Sequence, residues 1–316
     1  MLNRRHLRVK VLQTLYAYHL SENKDVKDFE KKLLKSVDSV NEMYVWTLAL
    51  LDEVSDYVLT DADERKNKFL PTQEDLDTDT KLSTNTFIES LRANADYRDA
   101  VKRYRVSWSF DPEIVRTIFA QLRNSNEYAA YLASTDRSIA SEKDIIKFVF
   151  RRLILKIPAI EQAFEEKFLN WPVDKEVLQA LVAKTFKNFS SENPAQNKLA
   201  DLTPDWPEDR IFILDLFAHT VRHRDAHQKL IADKTNNWDA ERIALLDTIL
   251  MQMALTELMH FPSIPVKVTI NEYIDISKVY STAKSSTFIN GVLDKILGEL
   301  QAAGRIFKQG RGLVER

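Results

Sequence analysis

The chain has 316 residues, with 45 Lys and Arg against 47 Asp and Glu, and no cysteine. A net charge of −2 excludes a globally basic nucleic-acid coat, so any polyanion site must be a local patch. The missing cysteines exclude disulfides, thiolate zinc sites and cysteine nucleophiles. All five glycines lie at or beyond Gly291, which leaves no Gly-rich phosphate loop, dinucleotide fingerprint or nucleophile elbow before it. No apolar run is long enough to suggest a membrane span, and the charged, amphipathic start is not a secretory pattern. These features fit a cytoplasmic protein. Glycine scarcity combined with long 3.6-residue periodicity predicts an all-α fold.

The first predicted helix covers residues 3–21. Leu7, Val11, Leu15 and Tyr18 repeat at steps of four, four and three, one face of a helix. Arg4, Arg5, Arg8 and Lys10 precede the first carboxylate, Glu22. Cations at a helix N-terminus oppose the helix dipole. They make a landing site for an anion or, on the plainer reading, a solvated terminus. Residues 25–60 read as one or two helices, and 61–84, acidic and containing Pro71, as a long exposed connection. Helices are expected near 84–106 and 111–133, the second opened by Asp111-Pro112-Glu113. Others are expected over Ser141–Phe168, interrupted at Pro158, and over Asp174–Phe189. Residues 190–207, with Pro194, Pro204 and Pro207, are the best linker candidate. A compact block follows: a helix to about Asp233, one capped by Asn237 or Asp239 and running to Leu258, one capped by Thr269 and running to Val279, and one capped by Ser285 or Ser286 and running to Leu300. The tail from Arg305 reads as frayed.

Three side-chain groups invite chemistry. His219, His223 and His227 fall at i, i+4 and i+8 on one predicted helix. Two imidazoles four apart can share a metal, but the third drifts about 40° round the helix, and Arg222, Arg224 and Lys229 crowd it with positive charge. A solvated face or partner surface is the favoured reading. Arg92, Arg98, Lys102, Arg103 and Arg105 are interleaved with Tyr97, Tyr104 and Trp108. That pattern suits RNA or, with Glu89, Asp96 and Asp99 diluting it, a salt-bridged helix face. Glu161, Glu165 and Glu166 lack a matching His and read as helix surface charge.

Two distant pieces resemble one family. The start, Arg4-Arg5-His6-Leu7-Arg8 through Leu12-Gln13-Thr14-Leu15-Tyr16 to Leu20-Ser21, is similar to the first helix of the NusB family of bacterial transcription antitermination factors. The end is similar to its C-terminal subdomain: Trp238 and Arg242, then Ala254-Leu255-Thr256-Glu257-Leu258, then Ile264-Pro265-Val266-Lys267-Val268-Thr269-Ile270-Asn271-Glu272, and Phe288-Ile289-Asn290-Gly291-Val292-Leu293-Asp294. The resemblance covers roughly 1–22 and 208–300 and implies a NusB-like helical bundle with a large helical insertion after the first helix. The expected organisation is a basic first helix over 1–22, an insertion or elaborated N-terminal region over 23–200, a NusB-like core over 201–302 and a flexible basic tail over 303–316.

The resemblance implies an RNA-binding protein and not an enzyme, with no cofactor or metal. In that family the factor binds boxA RNA of ribosomal RNA transcripts, pairs with the small-subunit ribosomal protein NusE and joins elongating RNA polymerase. Family members include monomers and dimers, so a homodimer stays open. By matching position the RNA contacts are Arg4, Arg5, His6 and Arg8, with Lys10 a local addition, and Lys284, Ser286, Phe288 and Asn290 at the last helix. Tyr16 and Phe288 suit base stacking, and each also has an apolar-core reading. On this assignment, Arg5→Glu with Arg8→Glu removes RNA binding and leaves helicity intact. Two other readings stand beside it. One is a helical protein-interaction scaffold, or a ribosomal RNA processing or assembly factor, that keeps the fold. The other is the RNA-targeting part of a cytosine methyltransferase, but this chain lacks the cysteine and the glycine-bearing cofactor domain of such an enzyme.

Overall fold

The computed structural model describes residues 1–235 and 244–309. The predicted caps Asn237 and Asp239, the matched Trp238 and Arg242, and tail residues 310–316 lie outside the described residues. Among the described residues there are fifteen α-helices and no strand, the all-α fold that glycine scarcity and helical periodicity predict. The chain forms two compact units. One comprises Asp38–Pro204 with Met1; the other comprises Leu2–Val37 together with the chain from Asp205 onward.

The second unit contains α1 (Arg4–Leu20), residues 26–37 of α2 (Val26–Lys66), and α11 (Trp206–Arg222), α12 (Arg224–Lys234), α13 (Leu245–His260), α14 (Val266–Tyr280) and α15 (Ser285–Ala302). Its core helix is α13. Every residue from Ile249 to Leu258 is buried, the signature of a helix enclosed on all sides. It packs against α1, α11, α12, α14 and α15.

A capping box starts α1: the Asn3 side chain accepts from the His6 N–H at 3.0 Å, and His6 Nδ1 accepts from the Asn3 N–H at 3.2 Å. Leu7, Val11 and Leu15 are buried as the periodicity predicts, and Tyr18 meets Phe29 and Phe217 edge-on at 5.1 and 5.9 Å. Val9, Lys10, Leu12 and Thr14 are buried as well, so α1 is enclosed well beyond one apolar stripe.

Arg8 pins α1 to α13. Its Nε and Nη2 donate to the two oxygens of Glu257 at 2.8 and 2.7 Å, and the two side chains are 3% and 0% exposed. Thr269 Oγ1 and the Tyr273 hydroxyl, both on α14, donate to the same carboxylate at 2.8 and 3.2 Å. Burial alone would lower the Arg8 pKa, but the hydrogen bond and charge of Glu257 outweigh it and raise it. Thr269 is therefore no cap. The helix starts at Val266, after Pro265, and Thr269 lies in its second turn facing inward. At the other end of α13, Asp247 accepts from Ser281 and Ser285, the latter at 2.7 Å, which fixes the turn between α14 and α15. Lys308 donates to the Glu257 and Phe261 carbonyls at 3.0 and 2.9 Å, and the Gln309 N–H reaches the Pro262 carbonyl at 2.9 Å. Up to Gln309 the tail is thus held against the C-terminus of α13.

The first unit contains the rest of α2, then α3 (Gln73–Leu76), α4 (Thr86–Ala93), α5 (Ala95–Tyr104), α6 (Pro112–Arg123), α7 (Asn126–Ala133) and α8 (Ile139–Phe148). A π-helical stretch, Val149–Ile154, leads to α9 (Pro158–Lys167) and α10 (Trp171–Asn188). The acidic 61–84 segment is not simply exposed. Asp61 is buried against Arg123, and Asp75 is buried between Arg65 and Lys68, at 2.7 and 2.8 Å. Of the Arg92–Trp108 cluster, Tyr97 and Trp108 are buried and Arg92 and Tyr104 half-buried, while Arg98, Lys102, Arg103 and Arg105 are exposed. Arg92 bonds Asp52 and Asp56 at 2.6 Å each, Arg103 and Tyr104 bond Asp38, and Trp108 stacks edge-on to Trp46. The Tyr44 hydroxyl pairs with Thr185 and accepts the Ala200 N–H at 3.1 Å.

Two predictions follow from these buried groups. Arg8→Ala leaves the Glu257 carboxylate buried without its counter-charge, a loss of about 3–5 kcal/mol. The check is a urea melt followed by circular dichroism, and Arg8→Met combined with Glu257→Gln, which removes both charges, should recover part of the loss. The second concerns alkaline pH. Burial pushes the Tyr44 hydroxyl up to about 12, so between pH 10 and 12 the unfolded chain gives up a proton that the folded chain keeps. Tyr44 alone should contribute about 2–3 kcal/mol to the loss of stability over that window, beside other tyrosines whose pKa burial raises, among them Tyr97, Tyr104, Tyr128, Tyr131 and Tyr273. Tyr44→Phe should lessen the fall by that share, measured as urea midpoints at the two ends.

Candidate nucleic-acid interface

The N-terminal turn of α1 presents two exposed arginines in a frame of carboxylates. Arg4 bonds Glu208 and Asp209 of α11 at 2.7 and 2.8 Å, and its guanidinium lies 4.4 Å from the centre of the Phe212 ring. Arg5 bonds Glu272 and Asp275 of α14 at 2.9 Å each. The hydrogen bond to Glu272 raises the Arg5 pKa, so its charge is permanent. These partners explain how a helix tolerates arginines at its positive end: the carboxylates offset the unfavourable dipole. Arg4 is 35% and Arg5 45% exposed, with Glu208 and Asp275 open to solvent and Asp209 buried. The exposed pairs with Glu208 and Asp275 contribute about 1 kcal/mol or less each, so a phosphate can compete with those carboxylates.

Two of the expected contacts fail on burial. Arg8 and Lys10 are 2% and 1% exposed, and neither reaches a ligand without unfolding α1. Arg8 serves Glu257 instead. Arg5→Glu with Arg8→Glu is therefore no clean probe, because it would bury a second carboxylate beside Glu257. His6 is half-buried and committed to the capping box. Tyr16 is 39% exposed, so its ring is open to a base.

The second group sits at the start of α15. Lys284 occupies the N-cap position and is exposed, and its side chain makes no capping hydrogen bond. Ser286, Phe288 and Asn290 are half-buried, and the Asn290 amide lies 3.4 Å from Asp294. Ser285 is buried on Asp247 and presents Ser286 from a fixed turn. The two groups have different anchors, α11 and α14 for the arginines and α13 for the α15 turn. Helix α14 packs on both α1 and α15.

Sequence reasoning missed a third cationic surface, in the other unit. Beside the π-helical stretch, an open groove of about 650 Å³ is lined by Lys147, Arg151, Arg152, Lys156 and Lys175. Asp144 holds Lys147 and Glu161 holds Lys175, whereas Arg151, Arg152 and Lys156 have no ion pair among the described residues. The adjacent arginines were legible; their alignment with Lys147 and Lys156 depended on the irregular turn. His219 and His223 lie with their rings 5.9 Å apart, as their spacing predicts; the His227 ring is 6.0 Å from that of His223, but it belongs to α12 and is buried at 1% exposure. His260, from the end of α13, takes its place beside them.

Comparison with known proteins bears on the same regions. The sequence profile of the NusB family matches residues 175–298. The transcription antitermination protein NusB of Salinibacter ruber is 44% identical over 108 residues, which is 34% of this chain and 68% of that protein. The protein of that name from Symbiobacterium thermophilum is 32% identical over 115 residues, 34% of this chain and 75% of its own length. The one from Chloroherpeton thalassium is 48% identical over 69 residues, 22% of this chain and 33% of its own. No solved structure matches. With two relatives covered over two thirds of their length or more, the chain belongs to the NusB family, in an enlarged form.

Proposed function

We propose that the protein is a cytoplasmic transcription antitermination factor that binds boxA-type single-stranded RNA of ribosomal RNA transcripts, acting with NusE and RNA polymerase. The observation that carries this reading is the assembly of the second unit. The basic helix α1 packs with α11, α13 and α14, although the Asp38–Pro204 unit separates them in sequence. The relatives that share this block are named transcription antitermination proteins. Among the described residues no helix is long and apolar enough to cross a membrane. We read residues 23–200 as an insertion into this framework and 201–302 as the NusB-like core.

In this reading Arg4, Arg5 and Lys284 meet phosphates, Tyr16 and Phe288 meet bases, and His6, Ser286 and Asn290 supply hydrogen bonds. Arg8 and Lys10 drop out, which lowers the phosphate count to about three. Log K should then fall with log salt at a slope of about −2.

Fluorescence anisotropy with a labelled boxA RNA against a scrambled one, with and without NusE, tests the proposal. Selective binding strengthened by NusE is expected; equal binding to both RNAs overturns it. Arg4→Ala with Arg5→Ala should weaken binding and bring the salt slope to about −1. The carboxylate frame gives a prediction of opposite sign. Glu208→Gln removes a competitor for Arg4 and should tighten RNA binding, by up to about fivefold. A weaker complex in that variant would mean that Arg4 is not a phosphate ligand.

A further inference from the structure

We propose that His219, His223 and His260 form a binding site for a divalent transition-metal ion of the zinc class. The inference stands apart from the RNA reading and does not depend on it. One ligand nitrogen from each ring lies within 4.8 Å of the other two. His219 is in the last turn of α11 and His223 is the residue that ends it, a spacing of four that puts both on one face. Helix α13 packs along α11 and ends at His260. Its ring sits between the other two, 4.6 Å from each, while they stand 5.9 Å apart.

The rings are close to parallel, with interplanar angles of 15° and 16° to His260 and 4° between His219 and His223. A shared ion lies in the plane of every imidazole that binds it, at about 2.0–2.1 Å. Capture therefore turns the rings out of the stack, a rotation about χ2, which is a soft torsion. All three residues are half-buried and not locked in the core.

A further observation points to a ligand. Among the described residues His219 Nδ1 and His260 Nε2 are buried with no hydrogen-bond partner, an arrangement native interiors generally avoid. An imidazole nitrogen left without a donor or acceptor offers a lone pair that a metal can take. Three neutral nitrogen donors select zinc, cobalt, nickel or copper over magnesium or calcium and leave a fourth position for water. Arg222 opposes a cation here, and Asp215, whose charge acts on His219 in the opposite sense, offsets part of that.

Metal-stripped, tag-free full-length protein is titrated with Co²⁺ and followed by visible absorption, then with Zn²⁺ in competition. The expected result is one ion per chain, a cobalt band displaced by zinc, and a zinc-dependent rise in melting temperature. His223→Gln and His260→Gln should each weaken binding by about 100-fold or more, and His219→Gln gives a third, independent removal. Circular dichroism confirms that each variant is folded, and His19→Gln, outside the cluster, should bind as the unsubstituted chain does. A chain that takes up no stoichiometric metal overturns the proposal. So does full affinity in folded His223→Gln and His260→Gln.

Discussion

The bidentate pair between Arg8 and Glu257 is the contact on which the second unit depends. It joins residues 249 positions apart. It is dry on both sides, and it recruits Thr269 and Tyr273 of α14 to the same carboxylate. Two charges taken out of water lose several kcal/mol of hydration each, and their attraction compensates only when the geometry is good and the remaining lone pairs are occupied. Here four donors surround the two oxygens. An apolar pair in the same place would hold α1 equally well, but it would accept any depth of insertion. A guanidinium fork matched to one carboxylate accepts one. The pair therefore fixes the axial position of α1 against α13, and with it where Arg4 and Arg5 emerge.

That division of labour among neighbouring arginines is what the sequence could not express. Arg4, Arg5 and Arg8 look alike in a string of letters, and each is cationic at a helix start. Arg8 lies one residue from Leu7 on the side that faces α13, whereas Arg4 and Arg5 project towards the carboxylates of α11 and α14. Helical spacing gave the apolar face through Leu7, Val11 and Leu15. Nothing in the spacing said that Lys10 would also be buried, because enclosure of a helix on several sides comes from its neighbours. Helix existence was readable almost throughout. Boundaries were less so: 84–106 and 111–133 each divide in two, at Asn94 and at Asn124-Ser125, where Asn94 and Ser125 cap a new helix with their own side chains. The acidic run from Asp61 was read by composition as solvent-facing, yet Asp61 and Asp75 meet arginines supplied by Arg123 and Arg65. A charge pattern alone does not distinguish solvation from pairing.

The histidines show the same limit from the other direction. Spacing singled out His219, His223 and His227, all close in sequence. The break at His223 starts α12 and carries His227 into the interior. The third member of the cluster arrives from the end of a different helix, in the segment His260-Phe261-Pro262 that reads from sequence only as a helix stop. Long-range partners are found by packing, and α11 against α13 is a packing contact held in part by Thr220 and Thr256 at 3.0 Å.

The separation of α1 from its partners bears on how the enlarged chain folds at all. Closing a longer loop adds entropy cost only as the logarithm of its length, so an added segment is tolerable if it brings its own core. The first unit does so, with Trp46, Trp108, Phe164 and Trp171 buried together in successive ring contacts. What length does threaten is specificity, since a basic amphipathic helix released far from its partners has many apolar surfaces to settle on. A buried charge pair answers that problem, because a misplaced α1 would bury Arg8 without Glu257 and be rejected by the full desolvation cost of an unpaired guanidinium. On this argument the buried pair contributes more to the choice of one packing over others than to net stability, and it sets the arginines beside it at the surface, each held by carboxylates of α11 or α14.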